Sequence, residues 1–166
     1  TPMVVLKNLL VAPDFGEPSG VALAYGRDLA RSYNATLHVL HVVEDVMMRY
    51  SPEVGFAVPD LQRDLEKAAN RDLAALITDD DRKTLNVVPV VQTSFNVPAG
   101  VTEYATKHAI DLIIVGTHGR GAVKQFLLGS AAERVVRTAP CPVLAVRAKE
   151  RDFIAPDALI AATTKP

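Results

Sequence analysis

Ile113-Ile-Val-Gly-Thr-His-Gly-Arg-Gly-Ala-Val-Lys-Gln-Phe-Leu-Leu-Gly-Ser-Ala-Ala-Glu-Arg-Val-Val136 reads as a strand, a glycine loop and a helix in direct succession. The apolar run entering Gly116 suits a strand covered on both faces. Past it, Gly116, Gly119 and Gly129-Ser130 present bare backbone N–H groups, a hydroxyl and a helix N-terminus to one small volume. That volume suits an anion, above all the phosphates of a nucleotide. Ser130 and Glu133 have the S-x-x-E spacing of a capping box, and Arg134 and Arg137 fall near the negative end of the helix dipole.

The same alternation extends outward from this unit. Apolar, β-branched runs at Met3–Ala12, Thr36–Val43, Leu85–Gln92, Asp111–Gly116 and Pro142–Arg147 predict five strands. Four helical patterns lie between them: Ser19–Tyr33, Asp60–Ile77 closing on the acidic turn Asp79-Asp80-Asp81, Asn96–His108 with Pro98 in its first turn, and Ser130–Arg137. Strand–helix alternation of this kind builds an α/β fold, a single doubly wound parallel sheet with helices on both faces, Rossmann-like in plan. Residues 1–147 are expected to form one domain, with a C-terminal tail at 148–166 that is disordered in part. The link Glu44–Pro59 is long for a βα connection, a length that goes with mobility, function or both.

Composition narrows the function classes. The 166 residues are enough for one core that buries roughly 70% of the unfolded surface. With 18 basic against 19 acidic residues the net charge is −1, which argues against a nucleic-acid or anionic-membrane scaffold. A single cysteine excludes an internal disulfide framework and fits a reducing, cytoplasmic setting. No apolar run approaches the ~20 residues of a membrane span. Thr1–Leu10, with Lys7 inside its apolar run, reads as the first strand rather than a signal peptide.

In open parallel sheets, ligands bind beyond the carboxyl ends of the strands, where the strand order reverses. If strands one and four are neighbours there, Asp14 and the glycine loop face one crevice, with His41-Val42 as a wall. The usual phosphate fingerprints are absent. No G-x-x-x-x-G-K-[ST] occurs, and Gly119-Arg120-Gly121 is followed by Lys124 where the dinucleotide fingerprint needs its third glycine.

The spacing G-x2-G-x9-G-[ST] is met in full by Gly116, Gly119, Gly129 and Ser130. With Asp14-Phe15 after strand one, His41-Val42 ending strand two and Ala139-Pro140-Cys141-Pro142 entering strand five, residues 3–147 resemble the universal stress protein family, specifically its ATP-binding branch. The resemblance implies a five-stranded parallel sheet of order 3-2-1-4-5, a homodimer through the fifth strand, and ATP bound with Mg²⁺ or Mn²⁺ held mainly by the phosphates. It implies that the Val42 backbone meets the adenine, that Asp14 lies at the ribose, and that Gly116, Gly119, Gly129 and Ser130 line the phosphate path. The N–H groups of Ala131 and Ala132 are implied at the start of the helix. Ala12-Pro13 stand where the family often has Pro-Thr, which alters the adenine-side wall. Ala132 stands where relatives can carry a hydroxyl.

Other residues have competing readings. His118 lies inside the loop, against phosphate or in solvent, with nothing to choose between them. Arg120 and Lys124 can neutralise phosphates. In a slow ATPase or autophosphorylating enzyme, Ser130 or Thr117 would be near the terminal phosphate. His38, His41 and His108 lack acidic or cysteine neighbours at ligand spacing, so none is expected to hold a metal. Cys141, between two prolines, reads as structural rather than nucleophilic. The sequence supplies no convincing general base beside the phosphates. An ATP-binding, homodimeric stress or signalling regulator with little or no turnover is the leading expectation. A slow ATPase or autophosphorylating enzyme, and a nucleotide-independent dimeric adaptor, are the alternatives.

Overall fold

In the computed structural model, residues 3–14, 17–48, 58–117 and 128–147 are described. Chain order runs β1 (Asn8–Val11), α1 (Glu17–Tyr33), β2 (Thr36–Glu44), a 3-10 turn (Val46–Met48), α2 (Val58–Leu76), α3 (Asp79–Thr84), β3 (Asn86–Ser94), α4 (Val97–Lys107), β4 (Leu112–Gly116), α5 (Ser130–Thr138) and β5 (Val143–Val146). The five strands are parallel in the order β3-β2-β1-β4-β5. This is the expected doubly wound sheet.

Both faces of the central strand are covered. Leu9, Leu10 and Val11 are each 0% exposed. Leu9 and Val11 pack with Leu23, Leu37, Val39 and Leu73 on the α1–α2 side, whereas Leu10 packs with Leu40, Val101, Tyr104 and Val135 on the α4–α5 side. Alternation of side chains along the strand thus feeds two cores at once. Truncating one such leucine to alanine costs roughly 2–5 kcal/mol.

Strand one is shorter than its apolar run predicts. Met3, Val4 and Val5 are exposed at 83%, 71% and 62%. Pairing starts only at Asn8↔Thr36 and Leu9↔Leu112, so the preceding residues have no strand beside them. Asp111 Oδ2 accepts the N–H groups of Lys7 at 2.8 Å and Asn8 at 2.9 Å, fixing the entry to β1.

The expected acidic turn at 79–81 is instead the first turn of α3. Thr78 Oγ1 accepts the Asp81 N–H at 3.1 Å, and Asp81 Oδ2 accepts the Thr78 N–H at 2.9 Å, a capping box with aspartate in the glutamate position. Conversely, the box expected of Ser130 and Glu133 does not form. The N-cap of α5 is Gly129, which has no side chain to offer, and Glu133 pairs with Arg137 at 2.7 Å.

Two left-handed residues turn helices into strands. Asn34 (φ 51°) follows α1, with the Ala35 N–H donating to the Ala30 carbonyl at 2.9 Å; Ala109 (φ 48°) follows α4, with the Ile110 N–H donating to the Ala105 carbonyl at 3.0 Å. On β3, the Asp45 N–H donates to the Ser94 carbonyl, so even-numbered β3 residues bond to β2 and Pro89 faces the free edge. There it loses no ladder bond and blunts the edge.

Candidate functional site

The strand order reverses between β1 and β4, which lie side by side with Leu9↔Leu112, Leu10↔Ile113 and Val11↔Ile114 in register. The segments that follow them, Ala12-Pro13-Asp14 and Thr117 onward, therefore leave the sheet at one switch point, where an open α/β sheet has its ligand crevice.

The β2 wall follows from backbone parity. In a parallel ladder the N–H and C=O of one residue point to the same side, and the side alternates along the strand. The Thr36 N–H donates to the Lys7 carbonyl at 2.8 Å, so even-numbered β2 residues face β1. The Asp45 N–H, donating to the Ser94 carbonyl at 2.9 Å, places the odd ones toward β3. The β1–β2 ladder stops at Val11↔Val39, while β2 runs on to Glu44. Val42 therefore directs a donor and an acceptor past the end of β1 into the crevice. His41 secures this corner, its Nδ1–H donating to the Pro13 carbonyl at 3.1 Å.

On the β4 side, Thr117 is 7% exposed, and its N–H donates to the Val146 carbonyl at 2.9 Å. The Gly129 N–H donates to the Thr117 carbonyl, so the chain returns to the end of β4 just where α5 starts. Glu133 is the first α5 residue whose N–H meets a carbonyl one turn back, that of Gly129. The N–H groups of Ser130, Ala131 and Ala132 precede it and have no intrahelical acceptor. Ala132, 6% exposed and packed in the core, seats this turn, while Ser130 and Ala131 are exposed. The structure thus brings Ala12, Pro13, Asp14 and Val42 to one side of the switch point and Gly116, Thr117, Gly129, Ser130, Ala131 and Ala132 to the other. His118, Gly119 and Arg120 lie outside the described residues, as do Lys124, most of the 44–59 link and the tail from 148.

A feature absent from the sequence reading adjoins this crevice. A cleft of about 460 Å³ opens beside Asp14, His41 and Val42 and runs between β2 and α2, with Glu44, Val46, Leu65, Ala68, Ala69 and Asp72 among its lining residues. Its outer wall is tied down by Gln62, whose Oε1 accepts the Val46 N–H at 2.9 Å. Glu66 Oε1 in turn accepts from Gln62 Nε2 at 3.2 Å and Thr93 Oγ1 at 2.8 Å.

The remaining candidates lie elsewhere. His38 is buried on the α4 side; its Nδ1 is 2.8 Å from the Tyr104 hydroxyl, and the His108 ring stacks on Tyr104 with centroids 4.0 Å apart. Burial, reinforced by the Asp111 carboxylate, pushes the Cys141 thiol up, against a hydrogen bond with the Ile113 backbone that lowers it. A thiol held protonated is a poor nucleophile. Among the described residues, no three histidine, cysteine or acidic side chains converge as metal ligands, and no helix is long and apolar enough to cross a membrane.

The fold and the crevice define a doubly wound α/β protein whose switch point brings together a helix N-terminus capped by a glycine and a β2 edge that runs past the β1 ladder. The chain belongs to the universal stress protein family, whose sequence model matches residues 6–147. Universal stress protein A homolog 1 of Coxiella burnetii is 36% identical over 152 residues, spanning 87% of this chain and 98% of that protein. Universal stress protein UspA from Lactobacillus plantarum has the same fold, with a TM-score of 0.76, 25% identity, and coverage of 87% of this chain and 100% of that one. A universal stress protein from Archaeoglobus fulgidus, solved in complex with dAMP, has a TM-score of 0.60 at 16% identity over 87% of this chain and 99% of its own. A further universal stress protein structure, in complex with cAMP, has a TM-score of 0.55 at 20% identity over 88% of this chain and 100% of its own.

Proposed function

We propose that this protein binds ATP at the switch point and acts as a nucleotide-dependent, homodimeric stress or signalling regulator in the cytoplasm, with little or no turnover. The observation that carries the reading is the open edge at Val42. Its carbonyl accepts from the exocyclic amine of adenine and its N–H donates to the adjacent ring nitrogen, a pairing order that guanine reverses. Asp14 then lies on the ribose side. Across the crevice, Gly116, Thr117 and the N–H groups of Ser130, Ala131 and Ala132 take the phosphates at the positive end of the α5 dipole. His118, Gly119 and Arg120 complete the loop by sequence position.

The dAMP and cAMP complexes of proteins with this fold support an adenine nucleotide as ligand. Asp14 is the only carboxylate among the residues assigned here to the nucleotide, so a Mg²⁺ or Mn²⁺ ion is held mainly by the phosphates, and its charge offsets theirs. For the dimer, the β5 edge is the better candidate. The Ile113 and Thr117 N–H groups donate to Pro142 and Val146, which leaves Val143 and Ala145 directing their backbone groups outward. The opposite edge carries Pro89. We assign residues 1–147 to the nucleotide-binding domain and 148–166 to a tail outside it.

Denaturing the purified protein, identifying any released nucleotide by chromatography, and titrating ATP with Mg²⁺ into the emptied chain tests the proposal. The expected result is about one adenine nucleotide per chain, with negligible phosphate release over hours. A folded, empty protein that ignores ATP would overturn it.

A further inference from the structure

Pro13 cannot donate to a backbone ladder, because its nitrogen carries no proton. The β1–β2 ladder has in any case stopped before it, at Val11↔Val39. Pro13 is nonetheless buried, and a buried carbonyl without a partner is costly. His41 on β2 supplies the partner, its Nδ1 lying 3.1 Å from the Pro13 oxygen. A carbonyl only accepts, so Nδ1 carries the proton. A doubly protonated ring carries it too, so charging His41 leaves this bond in place.

The bond acts one residue further along. The Pro13 carbonyl shares a planar peptide unit with the N and Cα of Asp14, so holding that oxygen sets the plane from which Asp14 leaves the sheet. Asp14 and His41 line the same cleft. We propose that His41 is a positioning residue that sets the sugar selectivity of the nucleotide site. Through the Pro13 carbonyl it holds the Asp14 carboxylate where a ribose hydroxyl donates to it, so the site favours ribonucleotides over their deoxy forms. Asp14 already interacts within the chain. A carboxylate offers about four acceptor positions, which leaves capacity for a hydroxyl as well. The inference rests on the nucleotide reading above and adds to it the ligand class, an adenine ribonucleotide, and the residue behind that choice.

The test is calorimetric titration of the emptied full chain with ATP, 2′-deoxyATP and 3′-deoxyATP. The parent is expected to prefer ATP over at least one deoxy form by about tenfold, the worth of a hydroxyl bonded to a charged acceptor. His41→Leu and His41→Gln both remove a donor at the Nδ1 position, and each should bring that ratio to about one. His41→Asn puts an amide N–H close to where Nδ1 stood and should keep most of the preference. Urea unfolding confirms that each variant is folded, and either the leucine or the glutamine form suffices. A preference retained without the donor, one lost equally in His41→Asn, or a parent indifferent to the sugar would overturn the proposal. Silence from all three nucleotides on a folded parent would overturn the nucleotide reading itself, and this inference with it.

Discussion

Gly100 sits so close to Val42 that a β-carbon on it would stand 2.7 Å from Val42 Cγ1 and 2.9 Å from Cγ2, with Ser94 Cβ at 3.0 Å. Val42 is β-branched and 6% exposed, so its side chain has nowhere to rotate. Gly100→Ala therefore pushes on the residue proposed to read the base. The helix propensity gained, about 1 kcal/mol, is outweighed by overpacking of about 1–3 kcal/mol. The variant should be less stable and bind ATP more weakly. Gly20→Ala is the control, because nothing lies within 4 Å of its added carbon. It should stabilise by about 0.5–1 kcal/mol and leave ATP affinity unchanged. Urea unfolding and ATP titration of the pair check both effects.

Arg27 and Asp81 form a two-pronged ion pair, at 2.8 Å (Nε to Oδ1) and 2.6 Å (Nη2 to Oδ2), with the aspartate side chain only 3% exposed. Burial raises the Asp81 pKa, but the Arg27 hydrogen bonds and those with Thr78 outweigh it and hold the carboxyl below its ordinary value. A depressed carboxylate pKa contributes stability that is fully present above the unfolded value, near 4, and is lost as pH falls through the folded one. Arg27→Ala strands a buried carboxylate and should cost about 3–5 kcal/mol at pH near 7. Protonation relieves that charge, so the gap between variant and parent should narrow in acid. A gap independent of pH would contradict the assignment.

Ala109 holds a left-handed backbone with φ of 48° at the end of α4. For a residue with a β-carbon, that conformation costs roughly 1–2 kcal/mol. Ala109→Gly removes the strain but adds entropy to the unfolded chain, leaving a net stabilisation of a few tenths to about 1 kcal/mol. A rise in the urea midpoint with unchanged slope is the expected signature.

These results indicate which parts of the molecule the sequence could reveal. Buried apolar runs such as Ile113-Ile114-Val115 and Leu37–Val43 made the strands and their parallel arrangement readable, because a sheet covered on both faces leaves no polar alternation. The start of β1 was not readable: Met3-Val4-Val5 has the same propensity, and only the positions of Thr36 and Leu112 decide where pairing begins. Helix α3 was hidden by a capping box written with aspartate. Of the candidate site, the spacing singled out Gly116 and Gly129, which the fold sets at the end of β4 and the start of α5. The β2–α2 cleft depends on contacts such as Gln62 with Val46, which no local pattern encodes.

His38 should make stability pH-dependent. Burial, and secondarily positive charge at His108, lowers its pKa below the ordinary value near 6.5. The folded state then disfavours the protonated ring, so a penalty develops as pH falls below the unfolded pKa and is complete once pH passes below the folded one. With Asn8 Oδ1 at 3.4 Å from Nε2, the neutral ring protonated at Nε2 accepts the Tyr104 hydroxyl at Nδ1. Tyr104→Phe leaves that nitrogen without its donor and should cost about 1–3 kcal/mol at neutral pH. Unfolding of parent and variant from about pH 8 to pH 5 reads both effects.

Gly129 has φ −60° and ψ 149°, a backbone any residue adopts, so glycine is not required there by conformation. It is also the N-cap of α5, and as a glycine it offers no side-chain acceptor of its own to the helix start. A helix end without a capping side chain at its N-cap is a cost unless something else meets its N–H groups, and the phosphate proposed for this site would do so. Gly129→Asp separates the two roles. The new carboxylate caps the Ala131 or Ala132 N–H and favours the positive end of the dipole, raising stability by a few tenths to about 1 kcal/mol. The same charge competes with phosphate for those groups and repels it, so ATP affinity should fall by at least about tenfold, or 1.4 kcal/mol. A higher melting temperature with weaker ATP binding is the expected combination. A more stable variant that binds ATP as well as the parent would show that the α5 N-terminus is not where the phosphates go.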